Sequence, residues 1–401
     1  MMNNQNRYKL VVLLSRIPYP LEKGDKLRAF HHIKQLSIQY DIYLFAITKP
    51  GLDNQIAENL LMEFCKEIHF VPVNIFQKIF GVVEAFIHFR PLQIGLFHNS
   101  FTQRKISRII QKISPDVAFV QLHRMAPYVA NLTVPKVIDL QDAFSMGVYR
   151  RLHRVNVFVR PLYWLEYLLL KRYELKMVQQ FDKSIIISEV DRKWIDPKHE
   201  KEILLVQNGV DFDFYQPDKI EKEYDLLFTG NMGYMPNIDA SEFLVKEIMP
   251  IVWKSIPEAN VVLAGATPHA RVQNLASERV LVTGFVDDLR PYYQRSKVFV
   301  APMRMGSGLQ NKLLEAMAMH IPSITSDVAN KALKATDKHE IIVANSAKEI
   351  ADAIVLVLSN EFDTSQLCTN AFQFISKRYN WDSQTEILHQ SIQDSLSNHS
   401  K

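Results

Sequence analysis

Short apolar runs alternate with longer helix-like stretches along nearly the whole chain, and this alternation occurs twice. The first series begins with Lys9–Leu14 and continues with a helical pattern after Asp25. The second begins with Asp225–Thr229 and extends to Ile341–Val343. Apolar runs of strand length separated by helices are typical of parallel βα units, in which both faces of the sheet are covered. The sequence therefore predicts an α/β protein with two Rossmann-like, doubly wound domains.

The best boundary between the two series is Gln207-Asn-Gly-Val-Asp211, a turn that follows the strand-like run Ile203–Val206. We expect an N-terminal domain over residues 1–206 and a second domain that starts at residue 207. In two-domain α/β proteins of this kind, ligands bind in the cleft outside the carboxyl ends of the strands.

Composition excludes several classes of protein. The chain has 401 residues, 22% of them charged and 47% hydrophobic, which is typical of a globular protein and not of a disordered one. Its two cysteines, Cys65 and Cys368, give no disulfide framework and no metal-ligand spacing. No apolar run reaches the roughly 18 to 20 residues of a membrane span, and no signal peptide is evident. A net charge of +4 is too weak to indicate nucleic acid as a partner, and a cytoplasmic location is expected.

Two segments of the first half combine basic and aromatic residues. The segment 146–177 contains seven basic residues against two acidic ones, and the segment 75–104 contains several phenylalanines with Lys78, Arg90 and Arg104. Such segments can lie on an anionic membrane surface. The alternative is that the aromatic residues belong to the core and that the basic residues form a solvated helix face.

Three loops at predicted strand ends could bind a ligand. Ser15–Lys26 joins the first strand to the first helix and contains Gly24, Asp25 and Lys26. Gly24 would let the backbone approach a ligand at a helix N-terminus, although a glycine in such a place is more often only a turn residue. Gly230–Asn237, which includes Asn231, places two glycines at another strand end.

The third loop follows the strand that ends near Ala301. It is the turn Gly306-Ser307-Gly308, and a helix is predicted to follow from Leu309 to His320. Backbone N–H groups at such a turn bind phosphate, and Arg304 and Lys312 could add charge to a diphosphate. Glu315 is near enough to meet the sugar hydroxyls of a nucleotide. No Walker motif is present, and a capped helix with a basic first turn is the alternative.

Isolated polar residues also follow strands of the first half. His123 follows Val117–Gln121, and Asp139, Asp142 and Ser145 lie around Val137–Leu140. A lone histidine is more often structural than catalytic, but its place at a strand end makes it a candidate for the site.

Several of these segments together resemble the family-4 type of retaining glycosyltransferases, also called glycosyl transferases group 1. The segments are Gln207–Asp211, Phe228-Thr-Gly-Asn231, Gly284-Phe-Val-Asp-Asp288 and Glu315-Ala-Met-Ala318 followed by Pro322. The opening Ser15–Arg28, with Phe228–Ala240 and Gly308–Lys312, resembles a narrower group, the sugar transferases associated with bacterial exopolysaccharide systems of the PEP-CTERM/EpsH type.

The resemblance implies the GT-B fold, in which two Rossmann-like domains face a cleft. The second domain, residues 207–375, would bind the nucleotide-sugar donor, and the first would bind the acceptor. Tyr379–Asp382 resembles the point at which the chain of such proteins crosses back. Residues 376–401 are accordingly expected to form a C-terminal helix that packs on the first domain.

The resemblance also implies an activity. The protein would move a sugar from a nucleotide-diphosphate sugar, UDP or GDP, to a glycan or lipid-linked acceptor in the synthesis of an exported or surface polysaccharide, with retention of configuration. No permanent cofactor and no metal would be needed, and an acceptor carried on a lipid would place the enzyme peripherally on the inner face of the plasma membrane. The implied catalytic residues are His123, Arg304, Ser307 and Lys312. The implied donor-binding residues are Gly230, Asn231, Gly306, Gly308, Leu309, Gln310, Asn311 and Glu315, and the acceptor-side loop contains Gly24, Asp25 and Lys26.

The sequence departs from the family pattern at two places. Ser307 stands where the family has the first Glu of its donor site, and residues 231–237 lack the usual Arg and Lys. Arg304, Lys312 and the backbone of the Gly306–Gly308 turn could replace the missing charge, since a departing diphosphate needs positive charge or N–H donors. A nucleotide-binding scaffold subunit without turnover remains the alternative. An epimerase or phosphorylase of the same fold is less favoured, because nothing resembles a pyridoxal lysine site.

Overall fold

The computed structural model describes residues 7–21, 23–152, 155–198, 202–218, 220–306 and 308–399. The chain divides into two compact units. The first ends at Gln207 and takes up the chain again at Asp382, and the second is Asn208–Trp381. Each unit is built on one parallel sheet with helices on both faces, so the predicted α/β class with two Rossmann-like sheets is confirmed.

The sheet of the first unit has seven strands in the order β3-β2-β1-β4-β5-β6-β7, all parallel. Its central strand Lys9–Leu14 is apolar and buried after the first residue, as expected for a strand covered on both faces. The strands are β1 Lys9–Leu14, β2 Asp41–Thr48, β3 Glu67–Pro72, β4 Val117–Gln121, β5 Lys136–Gln141, β6 Lys183–Ile186 and β7 Ile203–Leu205.

The helices of this unit follow the strands as crossover connections. They are α1 Gly24–Leu36, α2 Gln55–Leu61, α3 Ile75–Ile87, α4 Leu92–Gly95, α5 Ser100–Ile113, α6 Phe144–Leu152, α7 Arg160–Gln180 and α8 Glu189–Ile195, with a 3-10 helix at His123–Val129. No helix in the described ranges is long and apolar enough to cross a membrane.

The second unit has six parallel strands in the order β10-β9-β8-β11-β12-β13. The strands are β8 Tyr224–Thr229, β9 Val261–Ala264, β10 Val280–Gly284, β11 Ser296–Ala301, β12 Ser323–Thr325 and β13 Ile342–Val343. The helices are α9 Met235–Phe243, α10 Met249–Ser255, α11 Ala270–Gln273, α12 Arg290–Arg295, α13 Asn311–Ala318, α14 Asp327–Leu333, α15 Ala347–Leu358, α16 Thr364–Arg378 and α17 Trp381–His399.

The last helix, α17, begins in the second unit and continues into the first. There Leu388 and Ile392 are completely buried in the core under β1. The imidazole Nδ1 of His32 hydrogen-bonds the hydroxyl of Thr385 at 2.9 Å, and the hydroxyl of Tyr40 hydrogen-bonds Nδ1 of His389 at 2.9 Å. Residues of α17 thus complete one face of the first sheet.

The apolar pattern predicts one helix from about Ile238 to Ser255, whereas the structure has a helical segment from Met235 to Ser255 that is not regular throughout. A π turn at Leu244–Ile248 separates α9 from α10. Pro250 is the cause, since it lies in the first turn of α10, has no N–H to donate and excludes the carbonyl four residues earlier.

Candidate functional site

The loop after β8 is in backbone contact with the loop after β9. Gly265 has φ of +145°, and a Cβ there would lie 1.9 Å from the carbonyl oxygen of Gly230. Gly230 has φ of +152°, and its Cβ would lie 2.7 Å from Nδ2 of Asn237 and 2.9 Å from Nζ of Lys312. Both positions therefore require glycine, and the Gly230 backbone is in close contact with a lysine ammonium.

Two asparagines hold the Gly230 loop in shape. The side-chain oxygen of Asn231 accepts hydrogen bonds from the Gly233 N–H at 3.0 Å and from the Thr267 hydroxyl at 2.8 Å. The amide of Asn237 donates to the Asn231 carbonyl at 2.9 Å. Hydrogen bonds within the protein thus fix the backbone at the end of β8.

Lys312, the second residue of α13, is buried beneath this loop. Its ammonium donates to Oδ1 of Asn237 at 2.7 Å and lies 4.4 Å from the centroid of the Phe228 ring. Burial lowers the pKa of Lys312 to about 7, although Glu315 acts in the opposite direction. A lysine in this state gains charge readily when an anion binds beside it.

Glu315 lies one turn further along α13, and tyrosines hold its carboxylate. The buried hydroxyl of Tyr293 donates to Oε2 of Glu315 at 2.8 Å and is 2.7 Å from the hydroxyl of Thr229. Tyr215 also hydrogen-bonds this carboxylate. Burial raises the pKa of Glu315, while Tyr293 and Lys312 oppose the shift. The carboxylate is therefore oriented by groups that also contact the end of β8.

The N-terminus of α13 lies in the predicted phosphate-binding turn. Gly306 has φ of +104°, a conformation that favours glycine, and the side-chain amide of Gln310 donates to the Gly308 carbonyl at 3.1 Å. Gln310 is the N-cap residue and makes no side-chain cap, so the first N–H groups of α13 are not capped by that side chain. Leu309 packs on the core of this unit. Oδ1 of Asn311 accepts a hydrogen bond from the side-chain amide of Asn208 at 3.3 Å. Ser307 lies outside the described residues.

Arg304 is engaged elsewhere. Its guanidinium pairs with Asp239 at 2.8 Å and with Glu247 at 3.3 Å, and it lies 4.3 Å from the centroid of the Phe243 ring. The structure therefore brings Gly230, Lys312 and Glu315 together, whereas the charge of Arg304 is neutralised by carboxylates on and after α9.

In the first unit, the first turn of α1 and the loop before it form a small polar network. Asp25 pairs with Arg16 at 3.1 Å, and the Asp25 carbonyl accepts from the side-chain amide of Gln121 at 3.0 Å. The ammonium of Lys26 donates to the Tyr19 carbonyl at 3.5 Å. Gly24 is the first residue of α1, and no atom lies within 4 Å of the position its Cβ would take. The described atoms around Gly24 therefore leave room for a larger side chain.

His123 is buried at the carboxyl end of β4, with only 1% of its surface exposed. Its ring lies 4.6 Å from that of Phe144, and burial, assisted by Arg124, lowers its pKa to about 3, so the imidazole is neutral. Leu122 and Gln141, at the ends of the adjacent strands β4 and β5, have φ of +69° and +61°. Non-glycine residues in this conformation are uncommon and are found often at functional sites.

Several buried polar atoms at the carboxyl edge of the first sheet, among them Oγ1 of Thr48 on β2, have no hydrogen-bond partner among the described residues, and three others lie at the central strands. These three are Oγ of Ser15, Nε2 of His123 and Nε2 of Gln141, which follow or end the adjacent strands β1, β4 and β5. Buried polar atoms are normally satisfied, so these are available to a ligand or to water. No group of three or more potential metal-binding His, Cys, Asp or Glu side chains occurs within the ranges that the structure describes.

Sequence patterns do not single out every residue of these sites. Tyr215 and Tyr293, which orient Glu315, lie in segments without a motif, and Gln141 lacks a distinguishing pattern. Ser15 begins the predicted Ser15–Lys26 loop, but nothing in the sequence marks its hydroxyl. Asn237 ends the predicted Gly230–Asn237 loop. Its place in that loop is the one sequence feature that indicates a role for its side chain at the site.

Comparison with known proteins gives a match in the second unit. Residues 223–360 match the family model described as Glycosyl transferases group 1. Over nearly the whole chain, a Klebsiella pneumoniae protein described as an uncharacterized 44.6 kDa protein in the cps region is 21% identical. That match spans 393 residues and covers 92% of this chain and 96% of the relative.

Solved structures of similar architecture cover nearly the whole chain. Sucrose-phosphate synthase from Thermosynechococcus elongatus matches with a TM-score of 0.70 and 14% identity, over 97% of this chain and 100% of that one. Anabaena Alr3699/HepE in complex with UDP and glucose matches with a TM-score of 0.67 and 12% identity, over 97% and 100%. A mutant of S. aureus TarM in complex with Fondaparinux, alpha-GlcNAc-glycerol and UDP matches with a TM-score of 0.68 and 10% identity, over 96% and 99%.

At these identities the structural matches show the fold, which is GT-B. The match to the glycosyl transferases group 1 model lies in the unit that holds Gly230, Lys312 and Glu315. The chain is a glycosyltransferase with the GT-B fold.

Proposed function

We propose that this protein is a retaining glycosyltransferase that uses a nucleoside-diphosphate sugar, UDP- or GDP-linked, without a metal ion. A bond forms between an acceptor hydroxyl oxygen and the anomeric carbon, and the bond from that carbon to the β-phosphate oxygen breaks. The nucleoside diphosphate leaves with the electron pair, and the proton of the acceptor hydroxyl is released. Support for a nucleotide donor comes from Alr3699/HepE, which has been solved with UDP and with UDP-glucose.

The observation that carries the proposal is the buried ammonium of Lys312 against the Gly230 backbone. We assign the diphosphate to this place, beside the N-terminus of α13, where N–H groups and the positive end of the helix dipole favour an anion. Lys312 would supply the fixed charge that stabilises the leaving group. Gly306, Gly308, Gln310 and Asn311 shape the turn through which the phosphates approach.

We assign the ribose hydroxyls of the donor to Glu315. Because Tyr293 and Tyr215 donate to its carboxylate, the remaining acceptor positions of Glu315 have a fixed direction. Two adjacent ribose hydroxyls could both donate to such a carboxylate. The role of the missing family Glu at Ser307 would then fall to backbone N–H groups of the turn.

We assign the acceptor to the first unit, near the first turn of α1, which contains Gly24, Asp25 and Lys26. His123 would take part in catalysis as a neutral imidazole, since burial lowers its pKa to about 3. Ser15 and Gln141 offer further unpartnered polar atoms at the same edge of the sheet. A polyhydroxylated acceptor could satisfy these groups through its own oxygens.

The acceptor is proposed to be a glycan or a lipid-linked sugar in the synthesis of a surface or exported polysaccharide. The relative in a Klebsiella cps region supports such a pathway. A cytoplasmic enzyme held peripherally at the inner face of the plasma membrane would meet a lipid-linked acceptor there.

The second candidate is a nucleotide-binding scaffold subunit, favoured by the serine at position 307 and by the absence of Arg and Lys from residues 231–237. Thermal-shift titration with UDP, GDP, ADP, CMP and dTDP shows whether the protein binds a nucleotide and which one, because a ligand of the native state raises the melting temperature. We expect a shift with one nucleotide that Glu315→Ala removes and that Glu278→Ala, at an exposed position of the same unit, retains.

Turnover is then measured with the sugar form of the nucleotide that binds. Release of the nucleoside diphosphate in the presence of membrane extract or glycan would support the transferase. Binding without release across a broad acceptor panel would favour the scaffold, and no shift with any nucleotide would contradict the donor site itself.

A further inference from the structure

Helix α3 turns its apolar side chains toward solvent. Only Gly81 and Ala85 of its thirteen residues are buried. Seven large apolar residues are exposed by 42 to 77%, whereas helices of water-soluble proteins normally direct such residues to the core. The seven are Ile75, Phe76, Ile79, Phe80, Val83, Phe86 and Ile87.

The start of α7 has the same character. Phe158, just before the helix, is 89% exposed, and the residues Leu162, Leu165 and Leu168 follow at helical spacing with exposures of 52%, 38% and 47%. Trp164 is 49% exposed on the same helix. Such a concentration of exposed aromatic and aliphatic side chains marks an interaction surface.

Contacts between helices join these residues into one surface. α3 packs on α4 so closely that a Cβ at Gly81 would lie 2.3 Å from the Gly95 carbonyl oxygen. The ring of Phe80 lies 5.3 Å from that of Phe101 on α5. Glu166 of α7 accepts a hydrogen bond from the Leu92 N–H at the start of α4, at 2.7 Å. We call the exposed side chains of α3, α5 and the first half of α7, together with Phe158, the apolar-basic face.

The charges of this region are strongly one-sided. Residues 73–114 and 155–180 contain ten basic residues and three acidic ones. All three carboxylates are hydrogen-bonded within the unit: Glu84 accepts from Ser100, Glu166 caps α4, and Glu174 accepts from Ser145 at 3.0 Å. The exposed charges of these segments are therefore positive, and they include Arg104, Lys105, Arg108, Arg160, Arg172 and Lys176.

Basic and apolar side chains share helix faces. On α5, Arg104 and Arg108 follow the exposed Phe101 by three and seven residues, opposite the buried Ile106 and Ile110. On α7, Arg160 precedes Trp164 by four residues and Arg172 follows Leu168 by four. This arrangement is complementary to a binding partner that has an apolar interior and negative charges at its surface.

We propose that the apolar-basic face inserts into the boundary of a membrane leaflet that contains anionic lipids. At thirteen residues, α3 is too short to span a bilayer, but its outward side chains suffice for an interfacial helix. Phe76, Phe86 and Phe158 would enter the acyl region, and the arginines would contact lipid phosphates. A second copy of the chain is a poorer occupant, because two such faces would bring like charges together.

The inference rests on the peripheral location in the proposed function and deepens it, since it assigns the surface that holds the enzyme at the membrane and not the bond that the enzyme forms. It is tested by flotation of the full chain with vesicles of phosphatidylcholine alone and with about 30% phosphatidylglycerol. We expect binding to the anionic vesicles at low salt and weaker binding at high salt, because screening reduces the attraction. In the variant Phe76→Ser/Ile79→Ser/Phe86→Ser/Phe158→Ser, partition should fall more than about tenfold.

The matched control is Ile38→Ser/Leu52→Ser/Ile56→Ser, which replaces apolar residues of similar exposure, 70%, 57% and 73%, outside the helices of this face. It should float like the wild type. Arg104→Gln/Arg108→Gln/Arg160→Gln should bind anionic vesicles less and lose most of the salt dependence. No binding to anionic vesicles, or equal loss in the control, would overturn the proposal.

Light scattering of the same proteins identifies the competing occupant. A wild-type dimer that the four-residue variant converts to a monomer, together with no vesicle binding, would assign the face to a second copy. Nucleotide thermal shifts should be unchanged in all of these variants, so failure of this proposal leaves the donor-site proposal standing.

Discussion

The ammonium of Lys312 donates a hydrogen bond of 2.7 Å to the side-chain oxygen of Asn237, directly against the backbone of Gly230. Asn237 in turn donates to the carbonyl of Asn231, so the lysine is connected to the loop after β8 through a single side chain. A buried lysine with one neutral hydrogen-bond partner is poorly solvated in its charged form, and this explains why its pKa is near 7.

The first prediction concerns proton uptake by Lys312. A bound diphosphate should raise its pKa, so nucleotide binding should consume a proton above pH 7 and weaken by up to about tenfold per pH unit as pH rises. The nucleotide contributes little there, because a terminal phosphate titrates near pH 6. Calorimetry in buffers of different ionisation enthalpy measures the uptake. Lys312→Met should abolish both the uptake and the slope, and a pH-independent affinity in the wild type would contradict the assignment.

The second prediction compares the two cations of the predicted donor loop. Arg304 is neutralised by Asp239 and Glu247, whereas Lys312 lies against the Gly230 backbone. We expect Arg304→Gln to change nucleotide affinity by less than about threefold and Lys312→Met to reduce it by about tenfold or more, the usual scale for a lost charge-assisted hydrogen bond. Equal losses of nucleotide affinity in the two variants, measured by titration, would show that Arg304 breaks its ion pairs with Asp239 and Glu247 to bind the donor.

Much of the fold could be predicted because its signal is local. A short apolar run such as Lys9–Leu14, bounded by turns, indicates a strand of a parallel sheet, and a repeated series indicates a second sheet. The interruption between α9 and α10 at Leu244–Ile248 could not be predicted in this way, since the apolar pattern continues through it and only Pro250 marks the break.

The candidate site was predictable only in part. Gly230 and the turn before α13 stand out, because a glycine at the end of a strand lets a ligand approach the backbone closely. The partners of Arg304 depend on how α9 and the turn after it lie against the segment that follows β11, which no local pattern specifies. Tyr293 reaches Glu315 from a neighbouring helix, and the unpartnered atoms of Ser15 and Gln141 became visible only when β1, β4 and β5 were placed side by side.

The third prediction concerns the tyrosine that orients Glu315. Tyr293→Phe removes the hydrogen bond to the carboxylate and leaves the buried hydroxyl of Thr229 without that partner, so we expect a loss of about 1–3 kcal/mol in unfolding free energy. Nucleotide affinity should fall several-fold even at temperatures where the variant is fully folded. Tyr292→Phe is the control, because this neighbouring ring stacks on Tyr224 instead. Unchanged affinity in Tyr293→Phe would show that the carboxylate needs no such support.

The fourth prediction concerns Glu174, which is buried in the first unit and accepts from the Ser145 N–H. Burial raises its pKa to about 7, against about 4.5 in the unfolded chain, so its ionisation costs stability as pH rises from 4.5 to 7. Glu174→Gln keeps a hydrogen-bonding side chain without that cost. The variant should match the wild type at low pH and become more stable by about 3 kcal/mol above pH 7, where the difference levels off. Glu58→Gln, exposed on α2, should show no such trend in thermal unfolding across this range. A difference that does not grow with pH would mean that Glu174 is already ionised in the folded protein near pH 5.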